Sequence, residues 1–240
     1  MRRGRGFSYL GIDGEPVRDP ELLARIRALV IPPAWRDVWI CPIANGHLQA
    51  VGTDAAGRRQ YLYHQAWRTR RDQEKFDHML VFARALPGLR QRVAAHLFEQ
   101  GLTRDRVLAC ATRLLDRGFF RMGSEGTAKD FRTWTATVLA AVALASSFPV
   151  ARSRTARTRA IRRAVDEVAQ YLGNTPAVCR ASYIDPRVFD RYRSGLTVAG
   201  SLEQLGQVEA LGEPAYQGGV EAAVVDLIEE KRAPELDLTA

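Results

Sequence analysis

The stretch from Thr127 to Tyr183 constrains this chain more than any other. It opens Thr127-Ala128-Lys129-Asp130-Phe131-Arg132-Thr133-Trp134, which puts an arginine at the head of an apolar run. Thr127 with Asp130 has the form of a capping box in which Asp replaces Glu, so a helix is predicted from there to about Ala145. A loop over 146–153 precedes a second helix, whose Ile161, Val165, Val168 and Leu172 recur on one face until Gly173 ends it. Thr175 as N-cap and Pro176 at the first helical position then start a short helix that reaches Tyr183. A free phenol, with a pKa of about 10, is a poor nucleophile at neutral pH. Guanidinium groups and an amide donor gathered around a phosphodiester would favour its phenolate and the charge of a pentacoordinate phosphate. Arg121, Arg132 and Asn174 are the side chains that can play those parts toward Tyr183. A helical tyrosine can equally be a packing residue, and spacing alone leaves both open.

Before this stretch, the chain to about Pro20 is basic and reads as an arm or first turn. Glu21 to Val30 is expected to be helical, stopped by Ile31-Pro32-Pro33. Three strands are expected at Val38–Cys41, Leu48–Val51 and Arg59–Tyr63, with a turn at Asp54-Ala55-Ala56-Gly57. A helix from about Gln65 to Ala85 follows, then a boundary at Leu86-Pro87-Gly88. Beyond it the chain reads as helical, with Leu89, Val93 and Leu97 on one helix and Val107, Leu108, Ala111, Leu114 and Leu115 on the next. A last helix is expected near Val220 to Lys231. The fold class is therefore α+β, with a small amino-terminal domain (1–86) holding an antiparallel sheet and a mainly helical domain (87–240).

Charge points to the partner. The net charge is +8, and arginine supplies nearly all of the positive side chains, lysine occurring only at Lys75, Lys129 and Lys231. Arginine keeps its charge and forks onto phosphate oxygens. Arg152, Arg154, Arg157, Arg159, Arg162 and Arg163 lie opposite the Ile161 stripe, either tracking phosphates or forming a solvated face. Arg58, Arg59, Gln60, Tyr61 and Tyr63 on one short strand can contact a nucleic-acid groove and backbone, or merely form a half-buried strand. The four histidines form no cluster with cysteine or carboxylate, and the three cysteines (Cys41, Cys110, Cys179) are scattered, as in a reducing cytoplasm. No apolar run reaches membrane-spanning length and no secretory leader is expected. Phosphate-cradling glycine loops and the nucleophile-elbow motif are also missing.

Taken together, these motifs resemble the type IB DNA topoisomerases of the bacterial and poxvirus group, relatives of the tyrosine recombinases. Ile31-Pro32-Pro33-Ala34-Trp35-Arg36-Asp37-Val38-Trp39, Gly57-Arg58-Arg59-Gln60-Tyr61-Leu62-Tyr63-His64 and Lys75-Phe76-Asp77 look like that family's amino-terminal DNA clamp. Gly118-Phe119-Phe120-Arg121-Met122-Gly123 is similar to the segment with the first catalytic arginine, and Lys129-Asp130-Phe131-Arg132 to that with the second. Gly173-Asn174-Thr175-Pro176 through Tyr183 looks like the segment holding the phosphate ligand and the nucleophile. Many relatives have histidine where Asn174 stands.

The resemblance implies that Tyr183 joins a 3′ phosphate of double-stranded DNA, releases a 5′ hydroxyl, and reverses the step after strand rotation, without ATP or metal. It implies Lys129 as an accessory beside Arg132, and Arg58, Arg59, Gln60, Tyr61 and Tyr63 as DNA contacts. A monomer acting on DNA in the cytoplasm, at the nucleoid, is expected. In the family, a long segment with a β-hairpin lies between the counterparts of Glu125 and Thr127. Its lysine protonates the leaving oxygen. In this chain only Gly126 stands there, so slowed chemistry and uncovered apolar faces are expected. Two alternatives follow: a non-catalytic DNA-binding remnant, and a tyrosine recombinase, whose His-x-x-Arg pattern stands here as Lys129-Asp130-Phe131-Arg132.

Overall fold

The structure, a computed structural model, describes residues 2–3, 6–118, 127–205 and 217–229. The chain divides into two compact units, Met1–Lys75 and Phe76–Ala240. In the first, β1 (Arg2–Arg3) pairs antiparallel with β2 (Gly6–Phe7), where an arm or first turn was expected. Helix α1 (Pro20–Ala28) is capped by the Asp19 carboxylate, which accepts from the Glu21 amide. β3 (Arg36–Ile40), β4 (Leu48–Thr53) and β5 (Arg59–Tyr63) form an antiparallel sheet in that order, at the three strands expected within a few residues. Gly52 lies under Trp35, where a Cβ would come within 2.7 Å of the indole, so no larger residue fits without a shift. Arg25 of α1 binds the sheet end, donating to the Gln49 side chain at 3.1 Å and to the Cys41 carbonyl.

Helix α2 (Gln65–Leu97) runs unbroken through Pro87 and Gly88, correcting the expected stop there. Pro87 has no N–H for the preceding turn. Burial of Leu86 and Val93 on either side holds the helix together across it.

The second unit has helices and no strand among its described residues. After the α2 residues from Phe76 onward come α3 (Arg104–Asp116), α4 (Thr127–Ser147), α5 (Arg154–Leu172), α6 (Pro176–Ser182), α7 (Pro186–Arg193), α8 (Ala199–Leu205) and α9 (Gly219–Glu229). α4 is the axis, with α3, α5, α7, α8 and α9 packed around it. Phe131, Trp134, Val138, Ala141 and Leu144 of α4 are all buried, as an apolar helix with no polar face requires. The Ile161, Val165, Val168 and Leu172 stripe of α5 is buried as predicted, and Gly173 ends that helix in the left-handed region at φ 62°.

The helix expected to carry Val107, Leu108, Ala111, Leu114 and Leu115 is α3. Val107 and Leu108 remain about half exposed, while the helix meets the core through Leu115 and Asp116. α7 was not foreseen, although Asp185 and Pro186 repeat the cap-then-proline signal of Thr175 and Pro176. The expected Thr127 capping box falls on side chains outside the described residues.

One polar network crosses this core. Arg90 of α2 binds both Asp116 oxygens at 2.9 Å and the Glu221 carboxylate of α9, while the Trp134 indole N–H donates to Glu221 at 2.9 Å. Burial works against the Arg90 charge. The hydrogen bonds from Asp116 and Glu221 outweigh it and hold the guanidinium above the ordinary arginine range.

Candidate active site and nucleic-acid interface

Arg132 lies one turn into α4, the axial helix, so its backbone is fixed while its side chain remains partly exposed. Its guanidinium donates to the Leu172 carbonyl at 2.9 Å, meeting the last turn of α5. That bond satisfies a helix-terminal carbonyl and places positive charge at the carboxyl end of the helix dipole. The guanidinium carbon also lies 5.6 Å from the centroid of the Tyr183 ring. Two of the predicted site residues, from segments 51 positions apart in sequence, thus come together.

Tyr183 caps α6, its amide donating to the Cys179 carbonyl, and its ring is partly exposed. The next residues are pinned from α4: the Asp185 amide donates to the Thr137 hydroxyl at 3.1 Å, and that oxygen is 3.4 Å from the Tyr183 carbonyl. Asp185 then caps α7 and binds the Arg187 guanidinium, which reaches Asp77 of α2 at 2.8 Å. Thr137 gave no signal in the sequence, being one hydroxyl in an apolar helix.

Asn174 follows Gly173 at the end of α5, two residues beyond the carbonyl that Arg132 holds. Its backbone amide donates to Ala169 at 2.9 Å. Its side-chain nitrogen is shielded from solvent and has no hydrogen-bond partner among the described residues. A donor left without an acceptor is costly, and such groups commonly await a ligand or water. Buried Cys179 lies in the same neighbourhood: burial pushes its thiol pKa up, and the Arg132 charge opposes that only in part. Lys129 is exposed one turn before Arg132. Arg121 lies in 119–126, outside the described residues.

The other predicted contacts lie in the first unit. At the β4–β5 turn, the Asp54 carboxylate accepts from the amides of Ala56 and Arg58, both at 2.9 Å. It also accepts from the Arg58 guanidinium at 2.9 Å and the Gln60 amide at 2.8 Å. These bonds, the Arg58 amide foremost, bring its pKa down to about 2. Arg58 and Gln60 are therefore oriented by one acid that sequence reasoning had assigned only to the turn. Arg59 is exposed, and Tyr61 is 47% exposed. The rings of Tyr61 and Tyr63 are 6.3 Å apart and nearly parallel, and Tyr63 stacks at 4.4 Å on Trp67 of α2.

The arginines on and just before α5 differ in their surroundings. Arg157 turns inward, donating to the Arg193 carbonyl at 2.8 Å, whereas Arg152, Arg154, Arg159, Arg162 and Arg163 are exposed. Among the described residues no group of three or more His, Cys, Asp or Glu could hold a metal ion, and no helix is long and apolar enough to cross a membrane.

Comparison with known proteins gives this arrangement its context. The family model for the bacterial DNA topoisomerase IB N-terminal domain matches residues 6–54. That for the eukaryotic DNA topoisomerase I catalytic core matches 64–127 and 125–198, two stretches that meet at 125–127 and together span more than half of the chain. DNA topoisomerase 1B of Acanthamoeba polyphaga mimivirus is 28% identical over 133 residues, which are 55% of this chain and 40% of that protein. The chain thus matches less than half the length of this curated relative. The amino-terminal match, the core match and the meeting of Arg132 with Tyr183 lead to one conclusion: this chain belongs to the type IB DNA topoisomerases.

Proposed function

We propose that this chain relaxes supercoiled double-stranded DNA without ATP, cutting and resealing one strand through Tyr183. The observation that carries this reading is the Arg132 guanidinium beside the Tyr183 ring. The Tyr183 oxygen attacks phosphorus and gives up its proton, the bond to the 5′ oxygen breaks, and that oxygen takes up a proton. Attack by the 5′ hydroxyl reverses each change, so the phosphodiester is restored with no external energy source. Arg132 neutralises charge on the phosphate, and Asn174 supplies its unpartnered amide to a non-bridging oxygen. Arg121 is the second guanidinium, and Lys129 the cation nearest in sequence to Arg132. Arg58, Arg59, Gln60, Tyr61 and Tyr63 grip the duplex, and a single chain suffices, acting on DNA in the cytoplasm.

Proton delivery to the leaving oxygen is the weak step. Removing a general acid slows such reactions by about 10²–10⁴. Purified protein is expected to relax plasmid slowly in the presence of a chelator and without ATP, and to form a denaturation-resistant DNA adduct. Both should vanish in Tyr183→Phe; relaxation that persists in this variant would reject Tyr183 as the nucleophile.

A second reading is a remnant that grips duplexes without cutting them. Two observations favour it. The core match arrives in two stretches meeting at 125–127, and Phe98, Leu102, Val107 and Leu108 leave apolar surface uncovered. It requires salt-sensitive duplex binding by the intact protein with no adduct at any exposure time.

A further inference from the structure

We propose that the duplex-binding surface of the first unit continues from the β-sheet onto α2 through Trp67 and Arg71, with Trp67 as a positioning residue and Arg71 as a phosphate contact. This deepens the reading above and rests on duplex DNA being the partner.

Trp67 lies in the first turn of α2, directly after β5. Its ring stacks on Tyr63 at 4.4 Å with 20° between planes, and the His47 ring lies 6.1 Å away. Tyr61 and Tyr63, two residues apart on one strand, share a face of the sheet. Trp67 therefore sets the plane of Tyr63, and Tyr63 that of Tyr61, before any ligand arrives. Fixing side chains in advance removes an ordering cost from binding.

One turn further along α2, the Arg71 guanidinium carbon is 5.3 Å from the Trp67 ring centroid. Stacking engages the flat face of a guanidinium and leaves its in-plane N–H donors directed outward. Arg71 is exposed, as the role requires. Its neighbour Arg70 is different: its Nε is 2.9 Å from the Glu74 carboxylate, so its charge already has an answer. Adjacent arginines on one helix thus differ in what they can offer a phosphate, and the sequence Arg70-Arg71 does not distinguish them.

The test is duplex binding by the full chain, followed by fluorescence anisotropy over a KCl series. Losing one phosphate contact should reduce the slope of log K against log salt by about 0.9 and weaken binding several-fold. Arg71→Gln is expected to do this, and Arg70→Gln to change the slope much less. Trp67→Ala should reproduce the slope of Arg71→Gln, and Trp67→Phe should restore it. Thermal unfolding of each variant separates this from misfolding, and exposed Arg71 keeps the test open if Trp67→Ala unfolds. A slope in Arg71→Gln equal to wild type, or equal losses in Arg70→Gln and Arg71→Gln, would overturn the inference. Failure of the wild-type chain to bind duplex would instead overturn the function on which it rests.

Discussion

The Thr137 side chain holds the backbone around Tyr183, not its ring. Its hydroxyl accepts the Asp185 amide at 3.1 Å, and its own proton is directed to the Thr133 carbonyl at 2.9 Å, closer than that of Tyr183 at 3.4 Å. Thr137→Val keeps the shape and orphans a buried N–H, at a cost of about 1–3 kcal/mol. A lower urea midpoint is expected, together with slower adduct formation as the chain around Tyr183 loosens. An unchanged midpoint would show that the amide finds another acceptor. At this scale residue type singled out Tyr183, Arg132 and Asn174, and the structure brings Arg132 to the Tyr183 ring. The Leu172 carbonyl that orients Arg132 and the hydroxyl that pins Asp185 were not readable. Every residue has a carbonyl, and a threonine inside a helix advertises no partner.

The β4–β5 hairpin is the element whose behaviour depends most on one titrating group. Asp54 falls from its usual 3.8 to about 2 because the Arg58 amide, then the Arg58 and Gln60 side chains, bind its ionised form. A carboxyl depressed in this way stabilises the fold fully above its unfolded value, and the contribution is lost as pH falls through the folded one. The hairpin should therefore be insensitive to acid down to about pH 4 and weaken toward about pH 2, with Asp54 titrating by NMR near the lower value. Asp54→Asn should remove that dependence; an Asp54 midpoint close to 3.8 would contradict it. The strands themselves were legible, because short β-prone runs bounded by a turn such as Asp54-Ala55-Ala56-Gly57 are local signals. Pro87 misled for the opposite reason: its local preference to stop a helix was overruled by burial of Leu86 and Val93. The apolar residues of α3 foretold a helix and not its burial, since Val107 and Leu108 stay about half exposed.

Across the whole helical unit, Arg90, Asp116, Trp134 and Glu221 join α2, α3, α4 and α9, with Arg90 and Glu221 separated by 131 positions. No local pattern announces such a pairing. Glu221→Ala would leave Arg90 only Asp116 and strand the Trp134 indole, and breaking a buried pair in this way costs about 3–5 kcal/mol. Urea unfolding should show most of that loss, with Glu221→Gln milder because an acceptor for Trp134 remains. Equal stability of all three proteins would mean that water enters the site freely. Arg25, Arg157 and Arg187 are engaged in the same manner, each by carbonyls or carboxylates of its own unit. Bonds to neutral carbonyls leave the charge in place, so the net +8 still attracts a polyanion at long range, while fewer guanidiniums have donors to spare for its phosphates. Recoding every arginine as lysine would preserve the basic character and loosen the joints, since an ammonium with three donors at one point cannot reproduce the four forked bonds by which Arg90 holds carboxylates from two helices.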